Sequence, residues 1–116
     1  MKGKNISGKD YIDLGIGGLA TSFWGMVFNN DYENRLVKNT KNKYFEVDTI
    51  FAPDTNLFET GIKSPNFYSG NWIIVDQYRT KNEALKKHKE WFKFMKTNPN
   101  ELIDIFSNKN YKFNPI

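Results

Sequence analysis

Few side chains in this sequence have the chemistry of acids, bases or metal ligands: one histidine, thirteen carboxylates and no cysteine. His88 titrates closest to neutrality and is the natural base or ligand. It stands on the apolar side of a helical pattern, where a histidine is normally packed and hydrogen-bonded to a neighbouring carbonyl. Glu46 and Asp48 share one face of an alternating run and point toward Glu59 or Asp76 on adjacent runs. Carboxylates held that close would raise one another's pKa, as a general acid or cation site requires, although sheets also display such residues simply to solvent. Gly15, Gly17 and Gly18 lack the G-x-G-x-x-G spacing and the lysine and hydroxyl of a phosphate loop. Nothing marks Ser22, Ser64 or Ser69 as an elbow serine. Without cysteine there is no disulfide, thiolate nucleophile or cysteine zinc site. The expectation is a protein without catalytic residues, metal or cofactor, and so not an enzyme.

Binding chemistry is better represented. Asn66, Phe67, Tyr68 and Trp72 cluster near one loop, and Lys109, Tyr111, Lys112 and Phe113 near the C-terminus. Rings interleaved with ammonium groups suit a base and its phosphate; the competing reading is that these rings fill the core. Composition and position make Tyr68, Trp72, Arg79 and Lys86 the candidate ligand contacts. The net charge of +4 and pI near 9.2 come from 15 lysines against two arginines, Arg35 and Arg79. A lysine-rich surface often serves solubility. Two arginines are few for bidentate reading of duplex bases, so nucleic acid is not an expected partner.

The clearest element for positioning these groups runs from Thr80 to Met95. Thr80 and Glu83 have capping-box spacing, which starts a helix at about Lys81. Ala84, Leu85, His88, Trp91, Phe92 and Met95 then fall in a sector about 120° wide, the stripe of a helix laid on a core. Thr21–Phe28 reads as a strand, and Asn29–Lys43, with five asparagines, as a long exposed connection containing a helical turn. Tyr44–Phe51 alternates, placing Phe45, Val47, Thr49 and Phe51 on one side of a half-buried strand. Pro53, Asp54 and Asn56 turn the chain into Leu57–Ile62, which suggests a hairpin. Trp72–Arg79 is the best strand by composition. Asn98, Pro99 and Glu101 look like a second helix start, with Leu102, Ile103 and Phe106 as its buried face.

The expected fold is therefore α+β: an antiparallel sheet of about four strands packed against one long C-terminal amphipathic helix, plus a short second helix. The 116 residues suit one modest core. Residues 1–18 read as an arm or loop and residues 19–116 as a single domain. Leu14–Phe28 is uncharged for only 15 residues, short of the roughly 20 that span a bilayer. Lys2, Lys4 and Lys9 resemble a signal-peptide start, but Asp10 and Asp13 intervene, so neither membrane insertion nor secretion is expected.

The F-E-T of Phe58, Glu59 and Thr60, followed by Y-x-T-x-x-E-A-x-x-x-H at Tyr78, Thr80, Glu83, Ala84 and His88, resembles a group of small tailed-bacteriophage proteins over roughly residues 46–92. The lysine- and asparagine-rich N-terminal portion and the region after the helix depart from that pattern. The resemblance brings no activity with it. It implies a phage origin, and the usage of Asn, Lys and Ile over Arg and Ala is that of an AT-rich genome, as in phages of low-GC Gram-positive hosts. The expected role is a phage accessory protein in the host cytoplasm that counters a host defence by binding a host protein or sequestering a nucleotide-type ligand. The alternatives are a minor virion or assembly protein and, least favoured, a carboxylate-dependent enzyme. Many aromatics on a small domain also make a homo-oligomer plausible.

Overall fold

Residues 32–116 are described by the structure, a computed structural model. The expected arm at residues 1–18 and strand at Thr21–Phe28 lie outside the described residues. Two units divide after Arg35. Tyr32–Arg35 forms one helical turn, α1, in the first. The second, Leu36–Ile116, is α+β, and its order is β1 (Leu36–Lys41), β2 (Glu46–Ala52), β3 (Leu57–Lys63), β4 (Ile73–Tyr78), α2 (Lys81–Met95), β5 (Glu101–Asp104) and β6 (Lys109–Lys112).

Strands β1 to β4 pair in chain order as an antiparallel meander. The registers Val47 with Ile62 and Thr49 with Thr60 put these four on one face. Phe45 shares that side and meets Phe92 of α2, ring centroids 5.2 Å apart, so this is the face the helix covers. On β4 the register slips between Thr60–Asp76 and Gly61–Ile74, leaving Val75 as an extra residue. A bulge of this kind re-aims the side chains beyond it. Asp76 then receives the indole N–H of Trp91 at 3.1 Å, and Tyr78 reaches Thr60.

Helix α2 begins where its cap predicts: the Thr80 hydroxyl accepts from Glu83 N at 3.1 Å. Ala84, His88 and Met95 are buried, with Trp91 and Phe92 half-buried beside them. It ends in a tightened turn, with Thr97 N donating to Phe94 O and Asn98 N to Met95 O, and Asn98 adopts a left-handed φ of 58°. Asparagine tolerates that conformation, and Pro99 cannot continue the helix.

Four expectations are corrected here. Asn98 closes α2 rather than capping a second helix, and the chain beyond it is the hairpin β5–β6. Its alternation decides the matter: Leu102 and Asp104 are buried while Ile103 is 48% exposed. Consequently α2 is not C-terminal and no short second helix follows it. The expected connection Asn29–Lys43 contains, besides the helical turn, the edge strand β1. Nor is β2 half-buried, because Asp48 and Ile50, on the face away from α2, are as inaccessible as Val47 and Thr49. The hairpin lies along β4, where Ile105 N donates to Ile74 O at 2.9 Å, and Leu102 joins Phe45, Val47, Ile62, Phe67, Ile73, Val75 and Met95 in the core. No helix among the described residues is long and apolar enough to cross a membrane.

Candidate functional site

Hydroxyls at matched positions of neighbouring strands line up beneath α2. Tyr78 Oη donates to Thr60 Oγ1 at 3.1 Å, Thr60 and Thr49 share a 2.7 Å hydrogen bond, and Thr49 meets His88 Nδ1 at 2.8 Å. The far side of the ring, Nε2, lies 3.0 Å from Thr40 Oγ1. His88 is thus bonded to two threonine hydroxyls, not to a backbone carbonyl. Burial, aided by the charge of Lys38, lowers its pKa from 6.5 to about 4, so the ring is neutral at pH 7. Burial likewise pushes the Tyr78 phenol well above the usual tyrosine range. This chain of groups joins β1, β2, β3, β4 and α2, and it has the character of a buried, satisfied polar network.

The carboxylates divide between the two faces of the sheet. Asp76 lies under α2 with Trp91. On the other face, Asn39 Nδ2 donates to both Glu46 Oε2 at 2.8 Å and Asp48 Oδ1 at 3.0 Å, so one amide separates the expected acidic pair. Glu59, 2% exposed, accepts from Thr55 Oγ1 and Gln77 Nε2, both at 3.0 Å. Burial, against these hydrogen bonds and with Asp54 and Asp104 adding to it, raises its pKa from 4.5 to about 7. Among the described residues no three acidic or imidazole groups converge as a metal ion would need.

Next to the Glu59 and Gln77 pair opens a cleft of about 690 Å³, lined by Asn56, Leu57, Gln77, Tyr78, Arg79 and Glu83. Its origin is local. Asn56 sits at the tip of the β2–β3 hairpin with a φ of 60°, its N–H returned to Ala52 O. Beside it, β4 ends at Tyr78, and the chain passes through Arg79 and Thr80 into α2. Among the described residues, one cation, one carboxylate and two carboxamides therefore border a space within the usual size range of ligand pockets.

The four residues singled out by sequence do not gather there. Arg79 lines the cleft, and Lys86 stands exposed on α2. Trp72 lies at the opposite end of β4, seven residues and roughly 23 Å of extended chain from Arg79. It is 3% exposed, with Lys63 Nζ 5.8 Å from its ring centroid. Tyr68 stacks on Tyr111 at 4.1 Å, and Phe67 meets Phe113 edge-on at 5.7 Å. Asn66 and Asn114 close this junction through two reciprocal hydrogen bonds. The two aromatic clusters of the sequence thus pack against each other. Gln77 and Asn56, which complete the cleft, were missed; the turn signal at Asn56 and the register of Gln77 opposite Glu59 would have placed both at one end of the sheet. Comparison with protein-family models, curated proteins and solved structures finds no match for this chain.

Proposed function

We propose that the protein is a non-enzymatic binding protein that holds a nucleotide-type anion in the Arg79 cleft. The observation that carries this reading is the cleft's lining: a guanidinium for phosphate, and the carboxamides of Asn56 and Gln77 with the Glu83 carboxylate for a base or ribose. Binding is favoured over catalysis because His88 and Glu59, the imidazole and the carboxylate whose pKa values burial shifts, are buried and bonded inward. The resemblance to phage proteins supplies the setting, an accessory protein acting in the host cytoplasm to sequester a defence messenger or to block a host protein. Exposed Phe94, Ile103, Ile105 and Phe113 support the second reading, self-association as a minor virion or assembly protein.

Thermal unfolding against a panel of nucleoside phosphates and cyclic dinucleotides tests the first. A ligand at about 100 times its Kd would add close to 2.7 kcal/mol of stability. The Arg79→Ala variant should melt normally and lose that response. If no member of the panel moves the transition, the nucleotide reading fails; concentration-dependent assembly in the same samples would favour the structural role.

A further inference from the structure

We propose that the flank of α2 facing β1 is a second binding surface, independent of the Arg79 cleft, that tracks the phosphate backbone of single-stranded nucleic acid. Lys86, Lys89, Lys93 and Lys96 recur at intervals of three, four and three residues, which sets them in one row about 15 Å long. All four are exposed, and among the described residues Lys86, Lys89 and Lys93 enter no ion pair. At 100° per residue Glu90 borders the row on its outward edge, one turn from both Lys86 and Lys93, and is held by Lys87 at 3.3 Å, while Glu83 lies further round.

The side on which the row lies follows from the packing. Trp91 leans toward β4 through Asp76, and Phe92 leans toward the start of β2 through Phe45. The lysine row is on the Phe92 side. There Lys38 of β1 adds a further ammonium, close enough for its charge to act on His88. At the Lys96 end, Lys96 Nζ covers the Phe92 ring at 4.7 Å, and one residue before Phe45 comes Tyr44, 61% exposed, with Lys43 Nζ 5.1 Å from its ring. A row of exposed ammoniums, with an exposed aromatic ring next in sequence to the Phe45 that packs on Phe92 at one end of it, has the parts of a single-strand site: charge for the backbone and a platform for an unpaired base. Lysine suffices, because backbone contacts carry no sequence information and require no bidentate geometry. An anionic bilayer fits less well, since the apolar face of α2 is turned onto the sheet and cannot enter the lipid interface.

The test is fluorescence anisotropy of a labelled 20-nucleotide oligothymidylate titrated with the full chain. Four phosphate contacts predict a salt slope near −3, so affinity should fall roughly 50-fold between 50 and 200 mM salt. Changing Lys86, Lys89 and Lys93 together to glutamine should weaken binding at least tenfold with an unchanged melting curve. Tyr44→Ala should cost on the order of tenfold. Amide shift mapping on the wild-type protein gives a readout that does not depend on any variant folding: shifts should follow residues 86–96. No binding at 50 mM salt, equal affinity for a duplex, shifts confined to Asn56, Leu57 and Gln77, or binding only to phosphatidylglycerol vesicles or to polyglutamate would each overturn the proposal.

Discussion

The proton order in the chain of groups beneath α2 follows from its ends. Tyr78 is a donor to Thr60, so the Thr60 proton turns to Thr49 and the Thr49 proton to His88, leaving Nδ1 as acceptor and placing the imidazole proton on Nε2, toward Thr40. Nitrogen chemical shifts of the imidazole at pH 7 should therefore report the Nε2–H tautomer; the other tautomer would mean that the whole chain runs in reverse. Protonating Nδ1 would set two donors against each other, which agrees in direction with the depressed pKa. Thr49 is the middle member, and Thr49→Val keeps its shape while stranding Thr60 and His88. Chemical denaturation should show a loss of roughly 1–3 kcal/mol; a loss below about 0.5 kcal/mol would mean that the hydroxyls rearrange among themselves.

Local code was legible wherever it was unambiguous. The capping residues placed the start of α2, alternation placed β2, the turn residues Pro53, Asp54 and Asn56 placed β3 after it, and β-branched and aromatic composition placed β4. Asn98–Phe106 failed because its start signal was double-edged. An asparagine before a proline opens a helix when its φ is extended and closes one when its φ is left-handed, and it is the end of α2 that settles which. A better signal lay six residues beyond Asn98. Asp104 Oδ1 accepts from Phe106 N and Ser107 N, and Asn108 returns its N–H to Asp104 O at a φ of 60°, which repeats the turn made by Ala52 and Asn56 between β2 and β3. The strand and helix alternatives differ in what they bury. Leu102→Ala should cost about 2–5 kcal/mol and Ile103→Ala less than about 1 kcal/mol in urea denaturation, whereas comparable losses at both would restore the helical face. At the same turn, Asn108→Ala should destabilise by about 1 kcal/mol and Asn108→Gly should not, since only the alanine is strained at that φ. The cleft was least legible, because its lining comes from one hairpin tip, one strand end and one helix start that only the completed sheet brings together.

At the scale of the whole molecule, the two faces of the sheet carry buried groups whose titrations oppose each other. His88 has an unfolded pKa of 6.5 and a folded value of about 4, so the unfolded chain binds more protons between them, and stability present above pH 6.5 is lost as the pH falls toward 4. Glu59 has an unfolded pKa of 4.5 and a folded value of about 7, so the folded protein holds the extra proton, and stability present below pH 4.5 is lost as the pH rises through 7. Each span corresponds to on the order of 3 kcal/mol, and between pH 4.5 and 6.5 the slopes cancel. Glu101, held low by Lys112, is solvent-exposed and perturbs this balance little. The intact protein should therefore show a nearly constant urea midpoint across that interval. Glu59→Gln keeps an acceptor for Thr55 and Gln77 while removing the titration, so the His88 slope should stand alone and the midpoint of this variant should climb steadily from pH 4.5 to 6.5. If the variant is as flat as the wild type, His88 is not buried neutral under the helix; if the wild type itself climbs, Glu59 is already ionised and its environment is more hydrated than its hydrogen bonds to Thr55 and Gln77 imply.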